Sequence, residues 1–153
     1  MAATRSARPQ AVLFACGLNA VRSPMAAALF RHFFDNTYVG SAGMRKSDLD
    51  PFAVAAIEEI GLDIAKHKPK TLEELEEWEG LNFDLIVTLS PEAHHSALEV
   101  TRTLGADVEY WPTADPTAVE GTREARIAAY REVRDGLLKR IRARFPAPLV
   151  PKL

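Results

Sequence analysis

The sequence predicts an α/β fold of three layers, in which a four-stranded parallel sheet carries helices on both faces. Two observations predict it: short β-like runs alternate with helical runs along the 153 residues, and the helical runs begin at recognisable capping residues. A chain of this length can bury about 70% of the surface that its unfolded form exposes. We therefore expect residues 1–153 to form a single domain that needs no disulfide.

Four apolar runs are the candidate strands, and each is rich in β-branched or aromatic residues. Helical segments separate the runs, and a connection of that length returns the chain to lie parallel to the preceding strand. The runs are AVLFA (Ala11–Ala15), YVGS (Tyr38–Ser41), FDLIVTL (Phe83–Leu89) and DVEYW (Asp107–Trp111).

Polar residues at fixed positions predict where the helices begin. Ser23, Asp50 and Ser90 each place a side-chain oxygen immediately before a proline, which is typical of an N-cap followed by the first helical residue. Thr71 opens the segment TLEE, which has the spacing of a capping box. A long final helix is predicted over residues 122–145.

The charge pattern argues against nucleic acid or a membrane as a partner. The formal net charge is −2, and the basic residues of segment 123–144 alternate with Glu124, Glu132 and Asp135 at helical spacing. This pattern favours a solvated helix face over a nucleic-acid-binding patch. The first residues lack the pattern of a signal peptide, and no apolar run is long enough for a membrane span. Because a free cysteine suits a reducing compartment, we expect a cytoplasmic protein, of an oligomeric state that the sequence does not indicate.

The single cysteine of the chain, Cys16, stands between the first strand and the first helix. A lone cysteine at the end of a core strand is most often a small buried hydrophobe. Here, however, five residues separate it from Arg22, and Ser23 follows. This Cys-x5-Arg-Ser pattern arises by chance in about one chain in a hundred. In parallel sheets, ligands bind beyond the carboxyl ends of the strands, which is where Cys16 is predicted to lie.

The spacing of this motif predicts a phosphate loop after the first strand. A loop of five residues can curl around a tetrahedral oxyanion with its N–H groups pointing inward, and the following helix adds its positive end. Arg22 can bind two oxygens of the anion through its planar guanidinium. The same positive field favours the thiolate of Cys16, and Ser23 can donate a hydrogen bond to it as well as serve as a helix cap. The predicted phosphate-binding residues are Gly17, Leu18, Asn19, Ala20, Val21 and Arg22.

At these residues the chain resembles the low-molecular-weight protein tyrosine phosphatases, a family that shares its fold with thioredoxin-coupled arsenate reductases. The resemblance runs from VLFACGLNAVRSPMA through SAG (Ser41–Gly43) and LIVTLS to ADP (Ala114–Pro116) and the final helix. It implies that the Cys16 thiolate attacks phosphorus and that Asp115 protonates the departing oxygen. Water then hydrolyses the phosphocysteine, with Asp115 as the base and without a cofactor. The substrate would be a phosphorylated protein or a small phosphomonoester.

The resemblance also implies a network that supports the loop, formed by Asn19, Ser41 and His67. From the residues alone, His67 is more typical of a surface histidine, and Asp115 before Pro116 could be a turn residue. The adjacent histidines of the later helix, at positions 94 and 95, cannot face one site together, so we expect no metal site.

Several positions depart from the usual family pattern. Gly17 and Leu18 stand in exchanged order, and Thr117 and Ala118 replace a tyrosine pair that often follows the Asp-Pro. Little therefore remains to sandwich a phenyl ring, and hydrolysis of phosphate esters is better supported than a preference for phosphotyrosine. Arg45, Lys46 and Trp111 are the alternative candidates for the mouth of the site.

Two other functions stay open. The segments YWPTADPTAVEG and YREVRDGLLKRI look like the end of the arsenate reductases. The resemblance implies that those enzymes relay oxidation through two further cysteines, at positions where this chain has Ser90 and Ala97. The first alternative is therefore a single-cysteine arsenate reductase that uses an external thiol such as glutathione or mycothiol. The second is a phosphate-binding module without catalysis.

Overall fold

Four parallel strands in the order β2-β1-β3-β4 form the sheet. The computed structural model describes residues 9–102 and 104–146. The strands are β1 (Ala11–Cys16), β2 (Tyr38–Gly43), β3 (Leu85–Thr88) and β4 (Asp107–Tyr110). The helices are α1 (Arg22–Phe33), α2 (Pro51–Glu58), α3 (Leu72–Glu79), α4 (Pro91–Val100) and α5 (Arg123–Arg144), with a short 3-10 helix at Pro116–Ala118. The predicted fold is confirmed.

The central strand β1 separates two apolar cores. Val12, Phe14 and Cys16 point to the face covered by α1, α2 and α5. Leu13 points to the opposite face, which α3 and α4 cover, and it packs there with Ile86. Because β1 is buried on both faces, its residues form a continuous apolar run instead of an alternating one. The two covered faces make the three layers.

The sheet register brings functional segments to one edge. Cys16, the last residue of β1, pairs with Gly43, the last residue of β2. Thr88 ends β3 and pairs with Ala15 on one side and with Tyr110 on the other. Since the strands are parallel, the loops that follow them share this edge. Within the described residues, no helix is both long and apolar enough to cross a membrane.

Most predicted helix starts are confirmed. The side chains of Asp50, Ser90 and Thr122 each accept a hydrogen bond from a backbone N–H of the first helical turn. Thr71 forms the complete capping box with Glu74.

The predicted cap at Ser23 is wrong. Helix α1 begins at Arg22, two residues before Pro24, and its N-cap position is held by Val21, whose side chain has no hydrogen-bonding atom. Ser23 lies inside the first turn and is fully buried. Its hydroxyl is therefore available to the preceding loop instead of to the end of its own helix.

Candidate active site

The segment between β1 and α1 forms a tight loop at the carboxyl edge of the sheet. The carbonyl oxygens of Cys16 and Gly17 accept hydrogen bonds from the backbone N–H groups of Met44 (3.1 Å) and Arg45 (2.9 Å). The beginning of the loop is thus attached to the chain that leaves β2. Its other end continues into α1, whose uncapped N-terminal N–H groups make this end of the helix suited to an anion.

Gly43 permits the close approach of these two segments. A Cβ atom at this position would lie 2.4 Å from the carbonyl oxygen of Arg45 and 2.7 Å from the backbone nitrogen of Asn19. Both neighbours are backbone atoms, which cannot rotate away as a side chain can. The glycine of the SAG segment is therefore required by the packing of the loop, a role that its sequence neighbourhood does not reveal.

The sulfur of Cys16 is buried and lies within hydrogen-bond distance of two groups. The hydroxyl of Ser23 lies 2.9 Å from it, and the backbone N–H of Asn19 donates to it at 3.3 Å. The oxygen of Ser23 itself accepts a hydrogen bond from Nδ2 of Asn19 at 2.9 Å. When Cys16 is a thiolate, its sulfur can only accept, so the hydroxyl proton of Ser23 is then donated to it. Donors in this arrangement stabilise the negative charge of a thiolate.

Asn19 connects the loop to three neighbouring segments. It adopts a left-handed backbone conformation, with φ of 55°, which asparagine tolerates better than most residues. Its Nδ2 also donates to Ser41 Oγ (3.0 Å), while its Oδ1 accepts from the backbone nitrogen of Lys70 (2.9 Å) and from Nε2 of His67 (3.1 Å). Both donor and both acceptor positions of the amide are used. The structure thus brings together Asn19, Ser41 and His67.

His67 is partly buried against this network and not on the open surface. Its Nε2 also lies 3.2 Å from the carbonyl oxygen of Asn19. Because both neighbouring atoms are acceptors, Nε2 carries the ring proton. Burial and, to a smaller extent, the positive charges of Lys70 and Arg31 lower the pKa of His67 to about 4, against the raising effect of the Asn19 hydrogen bond. The imidazole is therefore neutral at pH 7.

Arg22 lies between the loop and the segment that follows β4. Its Nη1 donates to the carbonyl oxygen of Thr113 at 3.0 Å, and its Nη2 is 4.0 Å from Oδ2 of Asp115. The Arg22 side chain is only 13% exposed, whereas that of Asp115 is 46% exposed. The guanidinium is thus held in place and the carboxylate is open to solvent.

Asp115 caps the 3-10 helix, so the turn interpretation is correct as a description of its local contacts. Its Oδ1 accepts from the backbone nitrogen (3.0 Å) and the hydroxyl (2.7 Å) of Thr117. Its Oδ2 faces Arg22. One oxygen therefore fixes the carboxylate, and the other is directed toward the loop.

A cavity of about 430 Å³ joins these residues. Cys16, Arg22 and Asp115 line it together. The other residues of its wall come from three segments: the loop (Leu18, Ala20, Val21), the chain entering α2 (Ser47, Asp48, Leu49, Asp50, Pro51, Phe52, Ala55) and the region around α5 (Thr117, Arg123, Arg126). A molecule whose anionic group is bound by the loop would thus extend into a cavity with apolar, acidic and basic walls.

None of the three candidates for the mouth of the site lines the cavity that contains Cys16, although Arg45 lies beside Gly17 of the loop. Trp111 is 3% exposed and packs against Phe14 and Phe145, so it belongs to the core. Arg45 forms an ion pair with Glu92 at 2.9 Å beside Gly17, and Lys46 pairs with Glu74 at 2.7 Å.

Sequence reasoning missed three residues of the cavity wall, Phe52, Arg123 and Arg126. Only the packing of α2 on α5 brings them to the cavity.

Ser90 and Ala97 have structural roles on α4. The hydroxyl of Ser90 accepts a hydrogen bond from the backbone nitrogen of Ala93 at 3.2 Å and caps the helix. Ala97 is buried in the core on the far side of the sheet.

The histidine His94 of α4 stacks on the ring of Tyr110, with 4.6 Å between the ring centres. Within residues 9–102 and 104–146, no cluster of three or more His, Cys, Asp or Glu side chains has the arrangement of a metal site.

Relatives of the chain have names from both branches of this fold. An arsenate reductase of Halalkalibacterium halodurans is 33% identical over 133 residues, which are 86% of this chain and 91% of the relative. The crystal structure of an arsenate reductase from Archaeoglobus fulgidus is 30% identical, with a TM-score of 0.67 and coverage of 86% and 96%.

A phosphatase structure covers the same share of this chain as the reductase structure does. It is a YwlE arginine phosphatase in which serine replaces the cysteine and the active-site serine is phosphorylated. The two chains are 26% identical, with a TM-score of 0.70 and coverage of 86% of this chain and 91% of that one. Residues 11–146 match the model of the family described as low molecular weight phosphotyrosine protein phosphatase. The chain belongs to this family.

Proposed function

We propose that this protein hydrolyses phosphomonoesters, with phosphotyrosine in proteins as the first candidate substrate, through a phosphocysteine formed on Cys16. The observation that carries the proposal is the environment of the sulfur. The hydroxyl of Ser23 and the backbone N–H of Asn19 both reach it, at the start of a helix and beside Arg22. A buried thiolate with these donors is an activated nucleophile next to a binding site for a tetrahedral anion.

In the first step, the Cys16 thiolate forms a bond to phosphorus while the bond from phosphorus to the ester oxygen breaks. The carboxyl group of Asp115 gives its proton to the departing oxygen, so that an alcohol or phenol leaves. Arg22 binds equatorial oxygens of the phosphoryl group, and the loop N–H groups bind the developing charge.

In the second step, a water molecule attacks the phosphorus of the phosphocysteine. The Asp115 carboxylate accepts a proton from that water, and the sulfur leaves as a thiolate that Ser23 stabilises by its hydrogen bond. Inorganic phosphate is the product, and both Cys16 and Asp115 return to their starting states. The phosphorylated active-site serine in the YwlE arginine phosphatase supports a covalent intermediate at the corresponding place.

That relative is named an arginine phosphatase, so phosphoarginine is a further candidate substrate to be tested. Among the described residues of the wall beside Cys16, Phe52 is the single aromatic side chain, and the loop contributes small or aliphatic residues. A phenyl ring would therefore meet few apolar walls, and both phosphotyrosine and phosphoarginine peptides belong in the substrate panel.

Arsenate reduction is the second candidate, favoured by the names of the curated relatives. Reduction of arsenate to arsenite consumes two electrons, and two thiols that become a disulfide can supply them. Cys16 is the only cysteine of the sequence. The second thiol must therefore come from outside, from a small thiol of the glutathione or mycothiol class.

The two candidates differ in their need for a reductant. We expect hydrolysis of nitrophenyl phosphate and of at least one phosphopeptide without any thiol beyond that needed to keep Cys16 reduced. With arsenate, we expect no sustained oxidation of NADPH in the presence of thioredoxin and its reductase alone. Efficient arsenate reduction with glutathione or mycothiol and a glutaredoxin-type partner, together with marginal phosphatase turnover, would establish the second candidate instead.

A further inference from the structure

Two arginines of the first turns of α5 reach the cavity that contains Cys16. The guanidinium carbons of Arg123 and Arg126 lie 5.4 Å and 4.7 Å from the centre of the Phe52 ring. Tyr130, one turn further along the same face of the helix, stacks on Phe52 at 5.3 Å. Phe52 thus packs against one side of α5 and holds both arginines at the wall of the cavity.

Neither arginine has a carboxylate partner among residues 9–102 and 104–146, in contrast to other arginines of α5. Arg131 and Arg134, for example, both pair with Glu59. The nearby carboxylates have other contacts. Asp50 accepts from the backbone nitrogen of Phe52 (2.8 Å) and the hydroxyl of Tyr130 (2.6 Å).

The other acidic groups of the wall do not neutralise them either. Asp115 is held by Thr117 and faces Arg22. Asp48 is exposed on the segment before α2 and, within the described part of the chain, makes no hydrogen bond with Arg123 or Arg126. Two positive charges therefore face the cavity without an ion pair.

Stacking prepares these guanidinium groups for an anionic ligand. In such a contact the positive guanidinium lies over the ring, and its N–H groups that are not turned to the ring stay available for hydrogen bonds. It also restricts the side chain, so that less conformational freedom is lost when a carboxylate binds in the bidentate geometry that arginine favours. Because the cavity is continuous with the loop around Cys16, such a carboxylate can belong to the same molecule as the phosphoryl group.

We propose that Arg123 and Arg126 form a specificity subsite that binds the carboxylate of an acidic residue close in sequence to the phosphorylated residue, so that acidic phosphopeptides are the preferred protein substrates. This inference rests on the proposed phosphatase function. It assigns Arg123 and Arg126 to substrate selection and leaves the chemistry at Cys16 unchanged.

The test compares two phosphotyrosine peptides of one sequence, in which the residues flanking the phosphotyrosine are Asp in one and Asn in the other. We expect the wild-type protein to show a KM about tenfold lower for the Asp peptide, with similar kcat values, and an advantage that shrinks as salt screens the charges. In the double variant Arg123→Gln and Arg126→Gln, the KM of the Asp peptide rises to approach that of the Asn peptide. The Arg126→Glu variant favours the Asn peptide.

Arg142→Gln is the matched control. Arg142 also lies on α5 and stacks over a ring, that of Phe33 at 5.2 Å, but it is not part of the cavity wall. We expect this variant to keep the preference for the Asp peptide. Equal KM values for the two peptides in the wild type, or an equal loss for both peptides in the double variant, would overturn the subsite.

A binding measurement separates failure of the subsite from failure of the proposed function. Affinities of both peptides are measured by calorimetry with Cys16→Ser, which cannot turn them over by the proposed route. A stronger affinity for the Asp peptide that depends on Arg123 and Arg126 supports the subsite even if the wild type hydrolyses neither peptide nor nitrophenyl phosphate, a result that would reject the phosphatase. Turnover of both peptides without any difference in KM or affinity rejects the subsite alone.

Discussion

The hydroxyl of Ser23 lies 2.9 Å from the sulfur of Cys16, and the amide of Asn19 donates to the oxygen of the same hydroxyl. A thiolate at Cys16 can only accept, so Ser23 donates its proton to the sulfur in that state, and this donation matters most when the thiolate is the leaving group. We expect Ser23→Ala to slow hydrolysis of the phosphocysteine by about 10- to 100-fold and to affect its formation less.

Rapid-quench kinetics with nitrophenyl phosphate measure both steps, and the slower second step should appear as a burst of nitrophenol followed by a lower steady rate. Ser96→Ala, at a partly buried position on α4, is the control and should behave as the wild type does. A Ser23→Ala enzyme with an unchanged kcat would contradict a role in the second step.

Cys16 and Arg22 are predicted to have separable roles. Cys16→Ser should abolish turnover and still bind inorganic phosphate, because the loop N–H groups and Arg22 hold the anion. Arg22→Lys should lose both turnover and phosphate binding, since a lysine cannot form the bidentate contact. Calorimetry with phosphate and acid-quench detection of phosphorus bound to sulfur in the wild type are the measurements. More than trace activity in Cys16→Ser would refute the nucleophile assignment.

Asp115 is predicted to protonate the leaving oxygen through its Oδ2, the oxygen that faces Arg22. Asp115→Asn should therefore lose more activity with phenyl phosphate than with nitrophenyl phosphate, because a nitrophenolate leaves readily without a proton. The loss should grow with the pKa of the leaving group across a series of aryl phosphates. Equal losses of activity across the whole series, measured where cleavage limits the rate, would contradict the role of Asp115 as the general acid. Asp115 would then have only a structural role, as the cap that contacts Thr117.

The buried position of His67 predicts a pH dependence of stability. Its pKa is lowered from 6.5 to about 4, mainly by burial. Between these values the unfolded chain binds a proton that the folded protein does not, so the free energy of unfolding falls as the pH falls from about 6.5 to about 4. His67→Gln should show a shallower loss over this range.

Urea unfolding at pH 7.5, 6 and 5 measures this slope. His95→Gln is the control, since His95 is exposed on α4, and it should retain the slope of the wild type. If His67→Gln and the wild type lose stability in parallel, the folded protein does not exclude the proton from His67.

Gly43 and Gly136 form a matched pair for the packing of the loop. A Cβ at Gly43 would lie 2.4 Å from a backbone oxygen, whereas within the described structure a Cβ at Gly136 meets no heavy atom within 4 Å. Gly43→Ala should destabilise the protein by about 1–3 kcal/mol and weaken phosphate binding, because the loop must move. Gly136→Ala should be stabilising by about 0.5–1 kcal/mol, since alanine is the better helix former. Normal phosphate affinity in Gly43→Ala would contradict the requirement for close approach.

Local signals along the chain predicted much of the architecture. The alternation of strands and helices, the caps at Asp50, Thr71 and Ser90 and the approximate limits of α5 all follow from residues within one or two turns of each other. The prediction of a cap at Ser23 failed because the helix already begins at Arg22 and the hydroxyl of Ser23 has a partner in the loop. A cap signal in sequence cannot show that competing partner.

Local patterns in the sequence were enough to predict the fold class, the position of Cys16 at the end of the first strand, and a phosphate loop with Cys-x5-Arg-Ser spacing before the first helix. These features depend on local periodicity and on the sharing of one edge by parallel strands. The contacts that span long stretches of chain became visible only in the folded protein. Asn19 contacts Ser41, 22 residues away, and Arg22 contacts Thr113, 91 residues away. Arg123 and Arg126 contact Phe52. Such contacts depend on the order of the strands and the docking of the helices, which no local pattern specifies, and they shape both the support of the loop and the walls of the cavity.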